Sequence, residues 1–408
     1  MTTVLQEQVN HESRARRGIF YRLAPQGKPG RLQFIDAFRG WAVLVMIETH
    51  VLNSTLRPDL TEGPLYKVLN FINGLVAPAF LFAAGLTFAI ATRRKLRDYL
   101  AYRPALFKQL GRIALLFVIG YCLHIPKFEY HHLRYETGTI AWHNFLQVDI
   151  LQCIGMTLLL LTALLLVLRT ERKLYIASSI LLGGVLLATP LIWQVDFWTI
   201  LPIPLAEYFN GNHVSMFPLL PWSAFVLAGT LVGYYYLESA GPGLDPALMK
   251  KRMTTLSLFA VGLILASFVL HPIAASLYPS YDYWKTSPSF VLLRLGLVIL
   301  LLAGGYFWEQ RRGISASSVV TISGRESLLV YTVHLMILYG NFKGPHFVDR
   351  VGHQFGFLEV FGVSAVLIVL MILLAVAWSF IKSHHIWLRR SIEGCVVAGF
   401  AYVFFVGL

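Results

Sequence analysis

Residues 158–168 read LLLLTALLLVL and residues 365–378 read AVLIVLMILLAVAW. Apolar runs of this kind recur along all 408 residues, and 56% of the chain is hydrophobic. Only 13% is charged, where a soluble protein carries about 25%. A soluble fold of this size needs far more polar surface than this chain supplies. Stretches approaching twenty apolar residues have one common solution, the membrane-spanning helix, because lipid offers the backbone no hydrogen-bond partners.

Eleven spans are expected, at 34–56, 68–92, 106–126, 146–169, 173–194, 215–237, 254–278, 289–308, 323–341, 357–381 and 387–407. The fold class is all-α, a polytopic integral membrane protein. A basic segment over 1–33 precedes one transmembrane domain over 34–408. Lys and Arg set the orientation. Of the 34, 23 fall in segments that a cytoplasmic N-terminus places inside, 7 fall in outside loops, and Arg39, Arg112, Arg294 and Arg325 fall within spans. The chain therefore reads as N-terminus in, C-terminus out, in the cytoplasmic (inner) membrane. The net charge of +13 is explained by this topology, so no nucleic-acid partner is expected. The first thirty residues lack the apolar core of a signal peptide. Cys122, Cys153 and Cys395 lie in apolar runs without metal-like spacing and read as core residues. No internal repeat is visible.

Ionisable residues inside spans are costly and mark paths or sites. The stretch RGWAVLVMIETH (39–50) carries Arg39 at one end and His50 at the other. Eleven residues make three turns plus about 20°, so both lie on one helix face, ~16 Å apart along the axis. Asp36 sits one turn before Arg39 and can pair with it. An elongated anion fits this line, and coenzyme A has phosphates at one end and a thioester at the other. Arginine binds phosphate through bidentate, charge-assisted hydrogen bonds. Histidine is the usual general base, or takes an acyl group itself. The structural alternative is that Arg39 snorkels to headgroups and His50 lies at the interface.

Further along, SGRE (323–326) has the pattern of a capping box, with Ser323 at the N-cap and Glu326 reaching back. That places Arg325 at a helix N-terminus suited to phosphate. His334 is nine residues beyond, ~13 Å deeper; it is either a second histidine near the thioester or an interhelical hydrogen bonder. Arg294 contacts the nucleotide or pairs with an acid. Asp149 and Gln152 share a face near the outer side, where Asp149 could orient His50 or the acceptor. The outer loops at 127–145 and 195–214 hold His131, His132, Trp142, His143, Asn144, Trp198, Glu207, Asn210, Asn212 and His213. Such loops suit a polar acceptor such as a sugar, or are interfacial aromatics. Together with His124, the histidines of the first loop lack ligand spacing, so no metal is expected.

FIDAFRGWAVLVMIETH (34–50), FINGLVAPAFLFAAGLTFA (71–89), DILQCIG (149–155), FPLLPWSAFVLAGTLVG (217–233), SPSFVLLRLG (287–296) and GRESLLVYTVH (324–334) resemble, in order, motifs of the transmembrane acyltransferase superfamily. Together they resemble the bacterial relatives of the heparan-α-glucosaminide N-acetyltransferase catalytic domain. The Arg39/His50 spacing resembles that of the acyltransferase-3 branch. The lysosomal branch resembles the chain at Arg39 but has asparagine where His50 stands. This resemblance implies a membrane-bound acyl-CoA-dependent O- or N-acyltransferase. It would pass an acyl group, most simply acetyl, from cytoplasmic acetyl-CoA to a hydroxyl or amine of a glycan or glycolipid on the outer face. On that reading His50, Asp149 and His334 are catalytic, and Arg39, Arg112, Arg294 and Arg325 hold the co-substrate. The expected partners are acyl-CoA, the acceptor and membrane lipids, with a homodimer left open. The competing readings are a transporter of an organic anion or other polar solute, and a structural membrane protein.

Overall fold

A computed structural model describes residues 32–125, 129–131, 134–135, 139–237, 245–279, 281–340 and 346–406. His132 and the 1–31 segment lie outside the described residues. The described chain is helical without a named strand; one isolated bridge joins Leu56 to Phe355. In chain order the helices are α1 (Gln33–Thr55), α2 (Pro64–Asn73), α3 (Val76–Leu100), α4 (Pro104–Cys122), α5 (Thr139–Leu146), α6 (Ile150–Leu168), α7 (Glu171–Ile192) and α8 (Ile203–Ala206). They continue as α9 (Leu219–Leu237), α10 (Pro246–Leu277), α11 (Pro288–Arg312), α12 (Val319–Arg325), α13 (Ser327–Tyr339), α14 (Phe347–Val351), α15 (Phe357–His384) and α16 (Ile386–Val406).

Among the described residues, seven segments are long and apolar enough to cross a membrane by length and composition. The protein is an all-α, multi-pass membrane protein. The other four expected spans are also helical, but each breaks the simple apolar pattern. Helix α1 carries Asp36, Arg39 and Glu48, and α16 carries Arg389, Arg390 and Glu393. Helix α9 has a non-helical Leu220 followed by Pro221 and ends in three tyrosines. The span expected at 323–341 begins earlier, at Val319, and is two helices meeting at Glu326.

The contacts divide the chain into two compact units. The first holds α1, the end of α11, α12 to α15 and most of α16. Within it α1 packs against α12, α13 and α15. The α1–α12 crossing is backbone on backbone. A Cβ on Gly40 would overlap the Val320 carbonyl, and a Cβ on Gly324 would overlap the Asp36 carbonyl. Small residues substitute close contact for the missing hydrophobic drive between helices in lipid.

The second unit spans Lys67–Gly304. Its tightest crossing is α3 on α9, where Gly85 faces the Val226 carbonyl and Gly229 the Phe82 carbonyl. Helix α9 also packs on α6 and α7, and α4 packs on α6. The break at Leu220 leaves its carbonyl without a helical donor, and the Trp193 indole N–H takes it at 2.9 Å.

Two sequence expectations are corrected here. Ser323 is not an N-cap: it lies inside α12 and its hydroxyl donates to the Val319 carbonyl at 2.8 Å. Glu326 does not reach back to it; its carboxylate holds the Lys382 ammonium at 2.6 and 2.8 Å. The nearby lysine outcompetes a backbone N–H because both partners are charged. Of the three cysteines only Cys153 is a core residue; Cys122 is half-buried and Cys395 exposed.

Candidate active site

The first unit contains two linked clusters. At the start of α1, the Arg39 guanidinium donates to the Ser327 hydroxyl at 2.7 Å. Ser327 opens α13, and the half-buried Arg325 closes α12 two residues earlier. Near the end of α1, the His50 ring lies 5.2 Å from the His334 ring and 5.9 Å from Tyr339. The Tyr339 hydroxyl donates to the His50 carbonyl at 3.2 Å. Helix α1 therefore runs parallel to α13: start meets start at Arg39–Ser327, and far end meets far end at His50–His334. The face predicted from the eleven-residue spacing is the face that meets α13.

His334 is fully buried. Its Nδ1 lies 2.8 Å from the Val330 carbonyl. A carbonyl only accepts, so Nδ1 carries the proton and the neutral ring keeps its lone pair on Nε2. Nε2 is buried with no hydrogen-bond partner. An orphaned acceptor of this kind costs roughly 1–3 kcal/mol and demands an explanation.

The remaining candidates belong to the second unit. Arg112 is exposed on α4. Asp149 is the N-cap of α6, accepting the Ile150 N–H at 2.7 Å. Its other oxygen lies 3.8 Å from His124 Nε2, and His124 Nδ1 lies 2.8 Å from the Gly120 carbonyl. His124 thus lies between the Gly120 carbonyl and the Asp149 carboxylate. Gln152 is fully buried against Gly120. Arg294 is buried, and its guanidinium donates to the Phe71 carbonyl at 2.5 Å.

The outer-loop residues of the second unit largely satisfy one another. Glu207 is 1% exposed and takes the Trp198 indole N–H at 2.7 Å and the Ser215 hydroxyl. Trp198 stacks on His213 at 3.7 Å and meets His143 at 4.3 Å. Those rings occupy the indole, so Trp198 offers no free platform for a sugar. His213 Nε2 lies 2.8 Å from Asp196; that hydrogen bond is the main cause holding the exposed Asp196 carboxyl below its ordinary value. Among the described residues no three His, Cys, Asp or Glu side chains come together as a metal site would require.

Sequence reasoning missed Ser327, Tyr339 and the pairing of His124. Ser327 and Tyr339 sit in an apolar run where a lone hydroxyl carries no signal, and only the parallel α1–α13 packing gives them a role. His124 was read only as one of several scattered histidines, because nothing in the sequence links it to Asp149.

The family profile described as heparan-alpha-glucosaminide N-acetyltransferase, catalytic, matches residues 31–271. That is more than half of the chain. The chain belongs to this family. Membership makes the protein a multi-pass membrane acetyltransferase. The matched region holds Arg39, His50, Arg112 and Asp149; Arg294, Arg325 and His334 lie beyond it. No curated protein matches the chain.

Proposed function

We propose that the protein takes its acetyl group from cytoplasmic acetyl-CoA and passes it to a hydroxyl or amine of a glycan or glycolipid on the outer face. One observation carries this reading: α1 and α13 lie parallel, with a guanidinium–hydroxyl pair at one end and an imidazole pair further along, ~16 Å on by the Arg39–His50 rise of α1 and ~10 Å on by the Ser327–His334 rise of α13. An extended donor with phosphates at one end and a thioester at the other matches that strip.

In this reading Arg39 and Arg325 bind the phosphates, where bidentate guanidinium contacts and the start of α13 both favour an anion. His334 takes the proton from the acceptor through Nε2, the ring being oriented by Val330. The freed oxygen or nitrogen attacks the thioester carbonyl, and the C–S bond breaks as CoA leaves as thiolate. The His334 proton then returns to that sulfur. His50 stands beside His334, positioned to steady the acceptor or to carry the acetyl group in a two-step route.

The test is incubation of the purified protein with acetyl-labelled acetyl-CoA, with and without envelope glycans. Label appearing on the glycan supports the reading. Release of unlabelled CoA with label left on the protein supports the two-step route. Uptake of a solute into liposomes without any label transfer would replace it with transport.

A further inference from the structure

In a continuous helix the Phe71 carbonyl would accept the Leu75 N–H. Here the path breaks between α2 and α3, and the Leu75 N–H bonds the Ile72 carbonyl instead, at 2.9 Å. The freed Phe71 carbonyl takes Arg294 Nη1 at 2.5 Å. Arg294 is 3% exposed, and its guanidinium lies 4.6 Å from the Phe71 ring centre and 5.5 Å from that of Phe290. Gly74 leaves the space: a Cβ there would come within 2.6 Å of Arg294 Nη2.

Among the described residues no carboxylate forms an ion pair with Arg294, and its Nε has no hydrogen-bond partner. The ionisable group whose charge acts on Arg294 is Tyr283, in the loop before α11. Burial is the main influence on its hydroxyl and pushes it up, with Arg294 acting the other way; it supplies no counter-charge. One residue before Gly74, Asn73 is 6% exposed, and neither its amide nitrogen nor its carbonyl oxygen is bonded. A buried cation and a buried amide, both unsatisfied and on adjoining backbone, are a heavy cost for a fold with nothing to gain from them. Broken membrane helices are tolerated where they line a site.

We infer that Arg294 and Asn73 form a subsite for a single oxyanion, the carboxylate or phosphate of the acceptor. The inference rests on the transfer reading for the word acceptor, but the anion site stands on its own geometry. It also separates Arg294 from the arginines assigned to the donor. In the N-in orientation the loop before α11 is outside, so this end of α11 meets the acceptor.

The test measures thermal stability of the detergent-purified protein with sodium glucuronate, with inorganic phosphate and with neutral glucose, for wild type, Arg294→Met and Asn73→Ala. Acetyl-CoA binding is measured on the same samples. Glucuronate or phosphate should raise the wild-type melting temperature and glucose should not. Arg294→Met should abolish the response, and Asn73→Ala should weaken anion binding ~10-fold, both with acetyl-CoA affinity unchanged. Without anion, Arg294→Met trades an unpaired buried charge for an unpaired Phe71 carbonyl, so the anion response, not the basal melting temperature, is the deciding readout. An anion response that survives in Arg294→Met would mean Arg294 merely pins the helix break, and would overturn the inference. Loss of acetyl-CoA affinity in Arg294→Met would return it to the donor. Stabilisation by phosphatidylglycerol nanodiscs alone, without glucuronate or phosphate, would make the occupant a lipid headgroup and also sink the acceptor assignment. If the wild type transfers no acetyl group yet binds anion through Arg294, the subsite stands and the transfer reading falls.

Discussion

His50 on α1 and His334 on α13 face each other with ring centres 5.2 Å apart, and the His334 lone pair on Nε2 is unclaimed. His334→Gln should therefore lower acetyl transfer by ~10²–10⁴-fold, the usual value of a general base, while acetyl-CoA binding stays near wild type. His50→Asn reproduces the residue found in the lysosomal branch. If that variant keeps near-normal turnover and His334→Gln does not, the base is His334. Equal loss in both, with acetylated protein trapped only when His50 is present, would assign the acetyl carrier to His50. Steady-state kinetics with calorimetric acetyl-CoA binding separates the cases.

The sequence made α1 legible because one helix carries both Arg39 and His50, and helical spacing alone puts them on one face. It made the membrane class legible because apolar runs need no partner to be recognised. It did not show that α13 is the partner of that face, since Ser327 and Tyr339 look like ordinary residues of an apolar run. The SGRE pattern misled for a physical reason. Ser and Glu at that spacing suit a cap, but Lys382, 56 positions later, offers Glu326 a full charge. The α2–α3 break was hidden too, because Gly74 sits in a run whose composition spans the membrane unbroken.

Arg39 should matter for affinity. Arg39→Ala is expected to weaken acetyl-CoA binding by about 2–5 kcal/mol, the range for truncating one partner of a buried charge pair. Arg39→Lys should be intermediate, since a point charge cannot make the bidentate contact. Ser327→Ala removes only the neutral hydroxyl that holds the guanidinium, so it should cost ~1 kcal/mol. Isothermal titration checks all three; an unchanged dissociation constant in Arg39→Ala would reduce Arg39 to a lipid anchor.

Gly40→Ala should destabilise the first unit. The added methyl meets the Val320 carbonyl, which is backbone and cannot rotate away. Overpacking of this kind costs about 1–3 kcal/mol. By contrast Gly262→Ala, whose Cβ would meet nothing within 4 Å, should be neutral or slightly stabilising because alanine favours helix. A thermal melt of the pair in detergent reads the difference; equal melting temperatures would mean the α1–α12 crossing is looser than its backbone contact implies.

The Asp196–His213 pair should leave a signature in acid. The hydrogen bond from His213 depresses the Asp196 carboxyl in the folded protein. A depressed carboxyl contributes stability that is present above its unfolded value, ~3.9 for aspartate, and is lost as pH falls through the lower folded value. Wild type and Asp196→Asn should thus differ in melting temperature at neutral pH and converge as the medium is taken well below pH ~4. The difference will be small, because the carboxylate is exposed and screened. A gap that widens on acidification would contradict the assigned sign.

Orientation decides in which direction an acetyl group moves. In the N-in reading the Arg93, Arg94, Lys95 and Arg97 cluster at the end of α3 faces the cytoplasm, and the loop holding Tyr283 faces outside. Single cysteines replacing Arg94 and Trp284 test this, in a background where Cys122, Cys153 and Cys395 are removed. Cys395 lies exposed on α16, so its removal guards against background labelling. Trp284 is exposed as well, so access is not limited by burial. In intact cells an impermeant thiol reagent should label the cysteine at 284 and reach the one at 94 only after permeabilisation. The reverse pattern would put the Arg39 end of the α1–α13 strip on the outside, away from cytoplasmic acetyl-CoA, and the transfer scheme would have to be redrawn from the donor side.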